Sequence, residues 1–298
     1  MRDFLQLLVA GLAVGALYAL VALGFVIIYK ATGIINFALG ALALLGAYLT
    51  YNISQTWGAP FLAAVVLAMV GCAGIGLLIE RLILSRMVGR PTFAVIMITI
   101  GLAIVIEQGV TIVWGGATLP LNDPWGLDTL AMGDVVVAES DVARIVAAIV
   151  LLTGFFVLFR YSTLGVAMRA VASDQEAALA QGISVRRIVG ITWAIAAAIA
   201  TMAGVLLASG GRGVEPSLGV VALIAFPSVV LGGLDSPVGS VAGGAIMGVV
   251  EVMTAGYSER LPQFLGANFH RVTPYVVLVA ILLVRPYGLF GTKEVQRV

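Results

Sequence analysis

Few residues in this chain have the types and spacing needed for chemistry. His270 is the only histidine and Cys72 the only cysteine. A His-based metal site, a Cys/His nucleophile and a multi-histidine proton relay all lack their parts, so no catalytic set and no metal site is expected. Cys72 sits in an apolar run and reads as a small packing residue. His270 lies beside Arg271 at the edge of another run, a place for a solvated interfacial side chain. No GxxxxGK[ST] phosphate loop occurs. "GLFGTK" near the end lacks its spacing and following helix, and "GCAGIG" at 71–76 has no strand before it. Two carboxylates, Glu107 and Glu251, fall inside apolar runs, where an ionisable group faces a cavity or partner, or reaches the interface. Glu107 fits a vestibule or an interface equally, and Glu251 fits the interface better.

A different signal lies at 160–187, "RYSTLGVAMRAVASDQEAALAQGISVRR". Ser173 followed by Glu176 has the spacing of a capping box, and Asp174 and Glu176 suit the positive end of a helix dipole. Good helix formers follow, and Gly182 fits the left-handed stop position. A helix over 174–181 is about 12 Å long, too short to cross a membrane and too short to stand alone in water. Ala177, Ala178 and Ala180 offer a small-residue face, rimmed by Asp174, Glu176, Arg169, Arg186 and Arg187. Such a helix docks onto a partner or packs on its own bundle; the residues leave both open.

The elements that position these residues follow from composition. Of 298 residues, 61% are hydrophobic and only 10% charged, against roughly 25% charged in soluble domains. A net charge of +1 gives no field for nucleic acid or an acidic polymer. The first apolar run, 4–29, is interrupted only by Gln6 and is longer than a signal-peptide core, so it reads as a retained transmembrane helix. Further runs lie at 34–51, 60–79, 93–113, 142–159, 188–209, 218–234, 237–256 and 272–290. The expectation is an all-α polytopic integral membrane protein. It is one transmembrane domain over 1–298 with about eight to ten membrane elements, some broken or re-entrant. Asn36 interrupts one run, and Gly232, Gly233, Asp235, Ser236 and Pro237 interrupt the region of two others. Irregular backbone at membrane depth is tolerated only where protein or a water-filled cavity satisfies it. Asn36, Phe37, Gly40, Gly232, Gly233, Asp235, Ser236 and Glu107 are therefore the candidate path residues. The spaced glycines Gly11 and Gly15, Gly239 and Gly243, and Gly244 and Gly248 read as close helix approaches.

Arginines cluster at 81–90 and 160–187, with Arg285, Lys293 and Arg297 in the tail. The stretch 114–141 has no Lys or Arg but carries Asp123, Asp128, Asp134, Glu139 and Asp141. The positive-inside rule places the basic segments and the C-terminus in the cytoplasm and the acidic loop outside, with Trp114 and Trp125 at the outer interface. The side of the N-terminus depends on whether one element is re-entrant.

"EAALAQG", Glu176 to Gly182, resembles the EAAxxxG element of ABC importer permeases. Around it, "RYSTLGVAMRAVASDQEAALAQGISVRRIVGITWAIAAAIATMAGVLLA" is similar to the matching region of the LivH family, the high-affinity branched-chain amino acid permeases. So are "GLAVGALYALVALGFVIIYKATGIINFALGALALLGAYLTY", "LGGLDSPVGSVAGGAIMGVVE" and "RPYGLFG", in the family's order. Family members commonly have a histidine where this chain has Leu39 and an acidic residue where it has Ala41. The I-x-LP ending of the broad motif is also missing. The resemblance implies an inner-membrane permease subunit carrying branched-chain or related amino acids, or urea or short amides as in close relatives. It implies a second homologous permease subunit, two cytoplasmic ATPases that bind ATP and Mg, and an extracytoplasmic substrate-binding protein. The ATPase-coupling residues would be Arg169, Ser173, Asp174, Glu176, Ala177, Ala178 and Gly182. This chain would itself hold no cofactor and hydrolyse nothing. An ion-coupled secondary transporter is the competing class.

Overall fold

The computed structural model describes residues 2–87, 90–132, 135–258 and 268–291. Six helices among the described residues are long and apolar enough to cross a membrane: α1 (Arg2–Thr32), α3 (Phe61–Leu82), α4 (Thr92–Trp114), α5 (Glu139–Tyr161), α8 (Val185–Ala208) and α10 (Pro237–Gly256). Three shorter apolar elements join them. These are α2 (Leu39–Tyr51) with the π turn Asn52–Thr56 that continues it, α9 (Val221–Gly232) with the 3-10 turn Pro216–Val220 before it, and α11 (Phe269–Val284). Between α5 and α8 lie the two short helices α6 (Thr163–Ser173) and α7 (Gln175–Ala180). The fold is all-α, with one small antiparallel hairpin among the described residues, β1 (Thr129–Met132) and β2 (Val135–Ala138), in the acidic loop.

The bundle has two chemically distinct ends. At one end lie Arg86, Arg90 and Arg186, α7 and the last turn of α1. At the other, Asp123 accepts from the Gly210 amide, and Asn122 meets Gln55 across the loops. The first residues of α1, Asp3 and Gln6, share a cleft with Val137, Asp141 and Gly256, which places the start of α1 at the acidic end. Successive elements then alternate between the two ends, and α11 finishes at the arginine end. Lys293, Arg297, the last residues and Asp134 lie outside the described residues.

α1 is the core of the bundle, buried along most of its length, whereas α4 buries only Val95, Thr99 and Val110. Lipid is as apolar as leucine, so helices in a membrane associate through close packing of small residues. α1 and α10 do this with Gly11, Gly15 and Ala19 against Gly244, Gly248 and Val249. A Cβ on Gly248 would lie 2.1 Å from the Gly15 nitrogen. The opposite face of α10 uses Gly239 and Gly243 against Gly232 and Ser228 of α9. Pro227 interrupts α9 and cannot donate to the Leu223 carbonyl; the Tyr275 hydroxyl of α11 donates to it instead, at 3.1 Å.

The chain between α1 and α2 is not helical. Gly33 turns it with φ +70°, and Thr32 Oγ1 accepts from the Ile34 amide at 3.2 Å. Asn36 Oδ1 accepts from the Ala38 amide at 3.0 Å, and Thr99 Oγ1 of α4 accepts from the Phe37 amide at 3.3 Å. Side chains thus satisfy a break that lipid could not, and α2 begins inside the bundle, where its Leu39 side chain lies against Gly24 of α1.

Candidate functional site

The polar segment is built in two steps. Ser162 ends α5 and caps α6: its Oγ accepts from the Gly165 amide at 2.9 Å and donates to the Leu158 carbonyl. Arg169 donates to the Phe159 carbonyl and lies over the Phe159 ring, so its guanidinium fastens α6 to the open end of α5. Met168 and Val171 bury the inner face of α6. That burial carries α6 through Ser173, which is therefore its last residue and not a cap. Asp174 caps α7 instead, its Oδ1 accepting from the Glu176 and Ala177 amides at 2.9 and 3.0 Å. The expected capping box is thus replaced by a single aspartate cap, and α7 covers Gln175–Ala180, shorter than the 174–181 helix expected.

The stop is a Schellman turn. Gly182 has φ +80°, the Ile183 amide donates to the Ala178 carbonyl at 3.0 Å and the Gly182 amide to the Leu179 carbonyl at 2.9 Å. Of the small-residue face, Ala178 is buried against the bundle, while Ala177 and Ala180 are exposed with Asp174 and Glu176. Gln175 Nε2 donates to the Ala31 carbonyl in the last turn of α1 at 2.9 Å. One residue earlier on α1, Lys30 Nζ donates to the Asp235 carbonyl at 3.0 Å.

Beside α7 a cavity of about 930 Å³ opens at the arginine end. Its wall comes from the α1–α2 break (Gly33, Ile34, Asn36), from the end of α3 (Glu80) and the residues after it, from α4 (Thr99), from α7 (Gln175, Leu179) and from α8 (Arg186, Trp193). Asn36 is 1% exposed, and its Nδ2 has no acceptor among the described residues. The short helix α7, the break between α1 and α2 and an open cavity therefore meet at one place.

A family model described as the branched-chain amino acid transport system / permease component matches residues 7–283. The chain belongs to this family. Curated relatives agree along nearly the whole length of the permease. LivH of Salmonella typhimurium (strain LT2), named a high-affinity branched-chain amino acid transport system permease protein, is 29% identical over 99% of this chain and 98% of its own. BraD of Pseudomonas aeruginosa, with the same description, is 31% identical over the same shares. A probable branched-chain amino acid transport permease protein of Methanocaldococcus jannaschii is 30% identical over 94% of this chain and 91% of its own. The permease is a multi-pass membrane protein and a transport component.

The permease brings only some of the candidate path residues together. Asn36 lines the cavity; Phe37 turns away from it and packs 6.1 Å from the Phe226 ring. Gly40 lets α2 touch the turn before α9, since a Cβ there would lie 2.2 Å from the Gly219 carbonyl. Glu107 packs on that same Gly219 from α4. Gly232, Gly233, Asp235 and Ser236 form the joint between α9 and α10 at the arginine end, apart from the cavity wall. Gly233 takes φ +102°, Ser236 caps α10 through the Gly239 amide at 3.0 Å, and the Leu289 amide donates to the Leu231 carbonyl at 2.8 Å. Leu39 and Ala41 are buried packing residues.

Two charged residues of the permease escaped the sequence reading. Glu80, 4% exposed, sits at the end of α3 against Gly190 of α8. It stands one residue past the apolar run read at 60–79 and beside Arg81. Arg144, 5% exposed, donates to the Leu206 and Ser209 carbonyls at 3.1 and 2.9 Å and to Asp141 at 2.6 Å. It closes the open end of α8 from the acidic side. An arginine two residues into an otherwise apolar run was the available signal. Glu251, by contrast, accepts a 2.6 Å hydrogen bond from the Tyr18 hydroxyl across the α1–α10 contact.

Proposed function

We propose that this permease is the transmembrane subunit of an ABC importer for branched-chain amino acids in the bacterial inner membrane. The arginine end and the C-terminus face the cytoplasm, as the positive-inside rule requires. The observation that carries the reading is α7: a capped, exposed two-turn helix at the arginine end, tied to α1 by Gln175 and followed after residues 181–184 by α8. Asp174, Glu176, Ala177 and the Gly182 stop present it to a cytoplasmic ATPase, while Arg169 and Ala178 seat it on this chain. ATP and Mg bind the ATPases. A second homologous permease completes the path, and an outer binding protein delivers the amino acid.

ATPase closure moves α7, and its two attachments pass the motion to α8 and to the last turn of α1, next to the break at Gly33. Asn36 and the cavity beside it then change their access. Asn36, Phe37, Gly40, Glu107 and the joint at 232–236 are the residues that such a motion rearranges.

Reconstitution in proteoliposomes tests the reading. With both permease subunits, the ATPases and the binding protein present, leucine accumulates only when ATP is supplied on the arginine side. Leucine uptake by this chain alone, driven by an ion gradient, overturns it in favour of a secondary transporter.

A further inference from the structure

Glu80 is a buried carboxylate on the wall of the 930 Å³ cavity. Among the described residues it has no hydrogen bond and no ion pair; Arg186 and Arg81 act on it only from farther away. A carboxylate so placed is costly unless a cation meets it. Arg86, Arg90 and Arg186 line the same cavity, are exposed, and hold no carboxylate among the described residues. Asn36 adds a buried Nδ2 with no acceptor among those residues.

A free cation would satisfy Glu80 but meet three arginines. A simple anion would suit the arginines and leave Glu80 unpaired. A zwitterion answers both. Pockets for small ligands run about 300–1,000 Å³, so the volume suits an amino acid with some of its hydration water. We propose that this cavity is a site for a small zwitterionic amino acid on the arginine side of the permease, with Glu80 holding its ammonium group and the arginines drawing its carboxylate. This rests on the importer reading and names the residues that receive the transported molecule before release.

The test uses the complete transporter in nanodiscs without nucleotide or binding protein, and reads binding of leucine, 4-methylpentanoate (leucine without its ammonium) and 3-methylbutylamine (leucine without its carboxylate). Leucine binds tightest in the wild type. Glu80→Gln weakens leucine at least about tenfold, the loss of a charged hydrogen bond, and leaves 4-methylpentanoate unchanged. An unchanged leucine to 4-methylpentanoate ratio overturns the site, as does 3-methylbutylamine binding as tightly as leucine. Should Glu80→Gln fail to assemble, Val189→Cys on the cavity wall serves instead: leucine slows its alkylation by a maleimide, and absence of protection overturns the site. ATP-driven leucine uptake by the same preparation separates the two readings. Uptake with an unchanged ratio sinks the site alone; Glu80-dependent binding without uptake sinks the importer reading alone; loss of both sinks both.

Discussion

Gln175 donates from Nε2 to the main-chain oxygen of Ala31 at 2.9 Å, joining α7 to the last turn of the most buried helix of the bundle. A helix C-terminus has carbonyls with no partner of its own, so one side-chain amide suffices to make the contact.

Replacing that amide with a carboxylate of the same shape removes the donor. Gln175→Glu is expected to lower leucine transported per ATP hydrolysed by about threefold to tenfold, the range of one hydrogen bond. Assembly on size-exclusion chromatography stays unchanged. An unaltered ratio of transport to hydrolysis would show that α7 acts through α8 alone.

The capping of α7 separates two adjacent residues. Asp174→Ala removes a cap worth about 1 kcal/mol, so the Glu176 and Ala177 amides exchange hydrogen faster. Ser173→Ala leaves their exchange as it was, because Ser173 closes α6. Equal effects from the two variants would restore the serine cap read from the sequence.

Arg144 holds two carbonyls at the end of α8 together with Asp141. Arg144→Met strands a partly buried carboxylate and two carbonyls, at a cost of about 3 kcal/mol or more in unfolding free energy. Arg144→Lys recovers part of it, since a lysine restores the charge but not the fork of donors. Denaturation of the purified protein in detergent measures both, and a wild-type midpoint for Arg144→Met would contradict this role.

Gly248 and Gly71 form a contrast within one amino-acid type. Gly248→Val pushes a side chain into the α1 backbone and is expected to cost about 3 kcal/mol or prevent folding. Gly71→Ala, on α3 with nothing within 4 Å of the new carbon, is neutral or stabilises by up to about 1 kcal/mol. Thermal unfolding ranks the pair; equal losses would mean that the α1–α10 contact does not depend on close approach.

Much of the site was legible because its signals are local. Gly182 announced its left-handed turn, and the glycine pairs on α1 and α10 announced close approach, since both follow from a missing Cβ. The change from apolar runs to "SDQEAALAQG" marked the short polar helix without any knowledge of packing. Ser173 misled for a tertiary reason: burial of Met168 and Val171 extends α6 by the residue that would otherwise have capped α7.

By itself the sequence determined the membrane class, the apolar helices and the polar segment between them, because hydropathy and chain reversal depend on neighbours in the chain. Only the tertiary structure decided that α1 is the core, that its start lies at the acidic end, that Asn36 and Glu80 share one cavity, and that the joint at 232–236 lies apart from that cavity. Nearly every helix here is apolar on all sides, so hydropathy cannot tell a lipid-facing surface from a packed one. That choice belongs to the fit of small residues between helices far apart in sequence, such as Gly15 and Gly248.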